Sequence, residues 1–252
     1  EVKTATKEIR IQKEEIELQK TDLEEANTMK NKMFSVIAHD LRGPFGQLKM
    51  GLMLLEEGDL SAEERTEITS MLSRDHVNTS ALLDNLLKWS IAQKGEMIYE
   101  PKTHPIHPLV EENTSLFSKE AARKEVLLFN RVPDSLTAYF DCNMIQTVLR
   151  NLISNAIKFT QAGDRITIDG KRIGDAVSIS VQDTGLGIPE ENVNKLFKKN
   201  KNFTTYGTDN EKGSGLGLEL CYDLVVKNKG SIRASSVEGS GTTITFTIPV
   251  AP

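Results

Sequence analysis

The hydrophobic pattern of this chain changes period once, near Gly95, and that change limits the folds open to it. Before it, Val2, Ile9, Ile16 and Leu23 recur every seven residues, with Ala5, Gln12, Gln19, Ala26 and Met33 at the companion positions. That spacing makes a coiled-coil seam, weakened by the glutamines at its core. The apolar spacing continues through Ile37, Leu41, Leu48, Leu52 and Leu55 and stops at "EEGDLSAEE". Gly58 suits a C-cap, and Ser61 with Glu64 forms a capping box that opens a second helix. Ile68, Leu72, Thr79, Leu82 and Leu86 give that helix an apolar stripe to about Gln93. Two long helices joined by a short turn make an antiparallel hairpin. A lone hairpin leaves its stripe half exposed, so the pattern predicts a homodimer in which two hairpins form a four-helix bundle.

After Gly95 strands and helices alternate. "EMIYEPKTHPIHP" reads as an extended, proline-broken linker with a first strand. "EVLLFNRV", "RITIDGKRI", "AVSISVQDTG", "SIRASSV" and "TTITFTIPV" have the alternation of half-buried strands. "CNMIQTVLRNLISNAIKFT" and "GLELCYDLVVKNKG" have helical spacing. The order predicts an α+β sandwich with helices on one face of a mixed sheet. The chain therefore divides into a coiled-coil helix over 1–33, a helical hairpin over 34–95 and an α+β domain over 96–252.

Composition closes off several functions. Hydrophobic residues make up 38% and charged residues 27%, a globular balance. The net charge of -5 leaves no basic excess to neutralise nucleic-acid phosphates. No apolar run approaches the roughly 20 residues of a membrane span. The chain starts at Glu1 inside helical sequence and reads as a cytoplasmic fragment, with any membrane anchor expected upstream of it. Cys142 and Cys221 lack metal-ligand spacing and read as buried free thiols. His104 and His107 lack a third ligand, and His76 reads as a surface histidine.

The chemistry concentrates in the second half. "DTGLGIP" at 183–189 and "GSGLGL" at 213–218 are glycine-rich stretches of the kind that let a backbone approach phosphates closely. Neither is a P-loop, since no G-K-[ST] follows, and neither has dinucleotide-fingerprint spacing. Asn151, Asn155 and Lys158 stand at i, i+4 and i+7, on one face of a helix. Two amides and an ammonium on such a helix need a polar partner, and a triphosphate with Mg²⁺ suits them.

These motifs carry a resemblance. "NLISNAIKFT", "DTGLGIP" and "GSGLGL" resemble the N, G1 and G2 boxes of histidine kinases and the Bergerat ATP-binding fold that those share with gyrases, mismatch-repair ATPases and heat-shock chaperones. "FSVIAHDLRGPF", at 34–45, resembles the H box of the kinase phosphotransfer hairpin. The resemblance runs from about Met33 to Pro249, with the motifs in the family's order. It implies that His39 is the phospho-acceptor and that Asp40 orients its imidazole and takes its proton. It implies that Asn155 holds Mg²⁺, supported by Asn151, and that Lys158 neutralises phosphate charge. Asp183 would accept the adenine amine, with Gly185 and Gly187 letting the base approach. Gly213, Gly215 and Gly217 would wrap the triphosphate. The polar stretch 192–212, with Lys195, Lys198, Lys199, Lys201 and Lys212, would be a mobile lid.

The implied function is ATP-dependent autophosphorylation of His39 and transfer to an aspartate of a response-regulator receiver domain. The alternatives are a dead kinase-like scaffold, which the intact His39, Asn155 and Asp183 oppose, and a gyrase- or chaperone-type ATPase, which the His39–Asp40 hairpin opposes. Two departures from the family stand out. Gly43 replaces the Thr or Asn of strong phosphatases, and the lid has no arginine and only Phe197 and Phe203 as candidates for the family's aromatic-acidic F box.

Overall fold

The computed structural model of the chain describes residues 45–56, 60–73, 99–197, 205–209 and 217–251, with Thr79 and a few helical positions between 12 and 20. Two compact units are present, Glu1–Leu82 and Leu83–Pro252.

In the first unit, residues 45–56 (α1) and 62–73 (α2) are helical. The capping box opens α2 as its sequence requires. The Ser61 N–H donates to Glu64 Oε2 at 2.8 Å, and the Glu64 N–H donates to Ser61 Oγ at 3.1 Å. Hydrogen bonds that Ser61 donates to the Glu64 carboxyl, from its N–H above all, hold it below the usual range. The hairpin packs through Gly51, where a Cβ would stand 2.6 Å from Leu72 Cδ2. Leu48 and Leu52 are exposed instead of covered, as are Phe45, Met50, Met53 and Leu54. Gly58 and His76 lie outside the described residues.

The second unit is built on a five-stranded sheet in the order β2 (Leu127–Asn130), β4 (Arg165–Ile173), β5 (Ala176–Asp183), β7 (Gly241–Pro249), β6 (Ile232–Val237). Only β2 and β4 run parallel; the other pairs are antiparallel. A two-stranded sheet pairs β1 (Lys102–Pro105) with β3 (Thr137–Phe140). The period-2 pattern of β5 puts Val177, Ile179 and Val181 on one face, opposite Ile248, Phe246 and Ile244 of β7. Helices α4 (Cys142–Lys158) and α6 (Gly217–Lys227) pack on the sheet, and α3 (Ile106–Arg123) packs on α4 and β2. The inner side of α4, including Ile145, Val148, Leu149, Leu152, Ile153 and Ile157, is buried. A fourth helix, α5 (Glu190–Val193), is a single turn.

Helix α3 occupies a stretch whose prolines read as helix-breaking. Pro105 is its N-cap and Pro108 lies in its first turn, where the N–H groups lack intrahelical partners anyway. Asp141 caps α4 by accepting from the Met144 N–H at 3.1 Å. Cys142, just inside that cap, is half-exposed and not buried as its pattern suggested. Cys221 is fully buried, and burial pushes its thiol far up. Among the described residues no helix is long and apolar enough to cross a membrane.

Candidate functional site

The site begins with register. Asp183 is the last residue of β5 and shares the inward face of Val177, Ile179 and Val181, so its carboxylate continues an apolar row. Only 8% of the residue is exposed. Oδ1 accepts from the Gly185 N–H at 3.0 Å and the Thr242 N–H at 3.1 Å. Burial nevertheless dominates, and the carboxyl is pushed up from 3.8 to about 6, with the charge of Asp164 adding to the rise.

The chain then turns past the end of α4. The Leu186 N–H donates to Phe159 O at 3.1 Å. A Cβ at Gly185 would overlap that same carbonyl oxygen. At Gly187 φ is +65°, and a Cβ would overlap Val237 O. Glycine is therefore required at both positions by the backbone on either side.

Helix α4, whose end stands next to this turn, carries a polar face. Asn151, Asn155 and Lys158 are all partly exposed, on the side away from the buried stripe. Asn151 donates to Thr147 O at 2.9 Å, and its Oδ1 lies 2.8 Å from where a Cβ of Gly217 would sit. Gly217, the first residue of α6, thus meets Asn151 of α4. The Asn155 side chain makes no hydrogen bond among the described residues. Lys158 Nζ donates to Thr205 O at 3.5 Å and lies 5.1 Å from the centroid of the Phe159 ring.

Asp183, Gly185 and Gly187 thus lie at the end of β5 beside the C-terminus of α4, whose partly exposed side carries Asn151, Asn155 and Lys158, with Gly217 against Asn151. His39, Asp40, Gly43, Gly213 and Gly215 lie outside the described residues, as do Lys198, Lys199, Lys201, Phe203 and Lys212. Lys195 bonds Asn192 Oδ1 at 2.9 Å, a local contact within its own turn. The histidines His104 and His107 diverge. His104 packs at a tilt against Phe140, ring centroids 5.3 Å apart, while His107 Nδ1 lies 2.6 Å from Val132 O. Among the described residues no group of three His, Cys, Asp or Glu could hold a metal ion.

Residues absent from the motif reading also build the site. Thr242 supplies one of the two N–H groups on Asp183, and Gly241, at φ +100°, has no room for a Cβ beside Asp183 O. Their signal in sequence is the glycine-rich turn "EGSGTT" between two strands. Thr184 donates to Asp164 Oδ1 at 2.7 Å and accepts from the Arg165 N–H at 3.1 Å, tying the glycine turn to β4.

Residues 141–252 match the family of histidine kinase-, DNA gyrase B- and HSP90-like ATPases. Over 241 residues the chain is 30% identical to the sensor protein EvgS of Escherichia coli strain K12, covering 93% of this chain and 20% of EvgS. It is 30% identical over 239 residues to the adaptive-response sensory kinase SasA of Crocosphaera subtropica, covering 92% of this chain and 62% of SasA. The chain therefore spans less than two thirds of these relatives. The solved catalytic domain of histidine kinase ThkA, in a nucleotide-free form, matches with a TM-score of 0.54 and 30% identity, over 61% of this chain and 99% of that domain. ThkA in complex with the response regulator TrrA shares the fold at a TM-score of 0.69 and 22% identity, over 87% of this chain and 61% of ThkA. A Bergerat-type α/β domain, matched nearly end to end to a kinase catalytic domain, identifies the chain as a member of the histidine kinases, carrying their catalytic portion.

Proposed function

We propose that the chain binds ATP in its second unit, phosphorylates itself on His39 and passes the phosphoryl group to an aspartate in the receiver domain of a response regulator. The observation that carries this reading is a buried Asp183 whose glycine turn packs on Phe159 at the end of α4, the helix whose exposed side carries Asn151, Asn155 and Lys158. A buried carboxylate beside a glycine turn suits an adenine amine, and Asn151, Asn155 and Lys158 suit a triphosphate. ThkA has been solved with a response regulator, which supports a partner of that class.

Mg²⁺ fits the residues present. The half-buried Asn155 amide has no other hydrogen-bond partner among the described residues, and its oxygen is a hard ligand. Among the described residues no group of three His, Cys, Asp or Glu could share the ion, so phosphate oxygens and water would complete the shell. Bound there, the metal would neutralise phosphate charge. Lys158 would add a second positive charge, and the ionised Asp183 would select adenine by accepting its amine. His39 Nε2 would attack the γ-phosphorus as the bond to ADP breaks, with Asp40 holding the imidazole and taking its proton. Residues 34–95 would dimerise as a four-helix bundle presenting His39, and residues 96–252 would visit it as the ATP-binding domain.

The test is incubation of the 252-residue chain with γ-labelled ATP and Mg²⁺. We expect acid-labile, alkali-stable phosphate on the protein. His39→Gln should abolish it with ATP binding nearly intact, and Asn155→Ala should lose Mg²⁺-dependent binding and labelling together. Stable label on His39→Gln would refute the acceptor assignment.

A further inference from the structure

One buried charge of the second unit lies behind the site and takes no part in the chemistry just described. Lys124 closes α3 and is 8% exposed. Its ammonium donates to Ile157 O at 3.1 Å, Lys158 O at 3.3 Å and Thr208 Oγ1 at 2.8 Å. Asp209 supplies a counter-charge at 3.8 Å. Three donors thus meet three oxygens, two of them carbonyls at the negative end of the α4 dipole.

Thr208 extends the arrangement. Its N–H donates to Lys158 O at 3.0 Å, and its hydroxyl donates to Thr160 O at 2.7 Å while accepting from Lys124. Three residues earlier, Thr205 O receives the Lys158 ammonium. Residues 205–209 are therefore pinned at one point by Lys124 and in turn touch the side chain of Lys158. On its other side, the chain 157–160 receives the glycine turn through Phe159 O.

We propose that Lys124 is a positioning residue for the nucleotide. It ties Thr208 and Asp209 to the carbonyl end of α4 and thereby fixes the direction in which Lys158 enters the site. A buried ammonium without these oxygens would be costly, so the bonds either form together or fail together. The inference rests on the proposed ATP site, and its test separates the two.

Mg·ATP affinity of the 252-residue chain is measured by calorimetry for wild type, Lys124→Met, Lys124→Arg, Thr208→Val and Lys158→Ala, with melting curves as the folding control. Absence of Mg·ATP binding by wild type would overturn the ATP site itself. If wild type binds, Lys124→Met should weaken binding about tenfold and Lys124→Arg should restore part of it. In the Lys158→Ala background, Lys124→Met should cost little further affinity, because its effect passes through that side chain. Wild-type affinity in Lys124→Met, or full additivity with Lys158→Ala, would overturn the positioning role. If Lys124→Met does not fold, Thr208→Val carries the same comparison with the ammonium still held by Ile157 O, Lys158 O and Asp209. Additive losses there would count equally against the proposal.

Discussion

Asp183 holds its charge against its surroundings. Burial raises its carboxyl to about 6, above the 3.8 of an ordinary aspartate, so the folded state binds this proton more tightly than the unfolded chain does. The stability it contributes is full below pH about 4 and is lost as pH rises through about 6. Asp183→Asn keeps the acceptor for the Gly185 and Thr242 N–H groups and removes the buried charge. We expect the variant to be more stable than wild type at pH 8, by an upper limit of ~3 kcal/mol, with the gap closing toward pH 4. Urea unfolding at the two pH values checks this, and equal differences at both would refute it. Since the proposed adenine contact needs the carboxylate form, wild-type ATP affinity should fall up to about tenfold per pH unit below pH 6. Asp183→Asn should lose both the affinity and its pH dependence.

Two helices of the second unit end in the same way. After α3, the Glu125 N–H donates to Ala122 O and the Val126 N–H to Ala121 O, with Glu125 at φ 55°. After α6, the Lys229 N–H donates to Val226 O and the Gly230 N–H to Val225 O, with Lys229 at φ 59°. Both are Schellman ends with a side chain where glycine is favoured. The sequence "NKG" invites Gly230 as that left-handed residue. Instead Lys229 takes the position, and Gly230 is needed because a Cβ there would overlap Thr247 O on β7. Glu125→Gly and Lys229→Gly should each shift stability by less than about 1 kcal/mol, since relief of the left-handed strain is offset by the entropy of glycine. Gly230→Ala should destabilise by more than ~1 kcal/mol. Thermal melts of the three variants test the assignment, and a harmless Gly230→Ala would show that the strand can move away.

At the scale of the whole molecule, α1 presents more apolar surface than one hairpin covers. Phe45, Leu48 and Leu52 lie along one side at helical spacing and are exposed at 57%, 37% and 48%. A second copy of the hairpin would cover them. Leu48→Glu with Leu52→Glu should convert a dimer of the 252-residue chain to monomer in light scattering, with the second unit still folded. A wild-type chain that is monomeric at micromolar concentration, or a double variant that stays dimeric, would rule out this face as the dimer contact.

The sequence alone determined what depends on spacing within an element. The α4 face of Asn151, Asn155 and Lys158, the Ser61–Glu64 capping box, the alternation of β5 and the glycine turn after Asp183 are local patterns, legible because a 3.6-residue or two-residue period fixes which side chains share a side. Tertiary structure decided whatever needs two distant segments. Helix α3 was hidden by Pro105 and Pro108, which break helices in an interior but are tolerated where a helix begins. Thr242 reaches Asp183 only because β7 pairs with β5, and Lys124 meets residues 157–158 and 208 only because α3 packs on α4. No periodicity in the chain encodes such meetings. They follow from burying apolar faces against one another, and the polar groups carried along take the partners that burial leaves within reach.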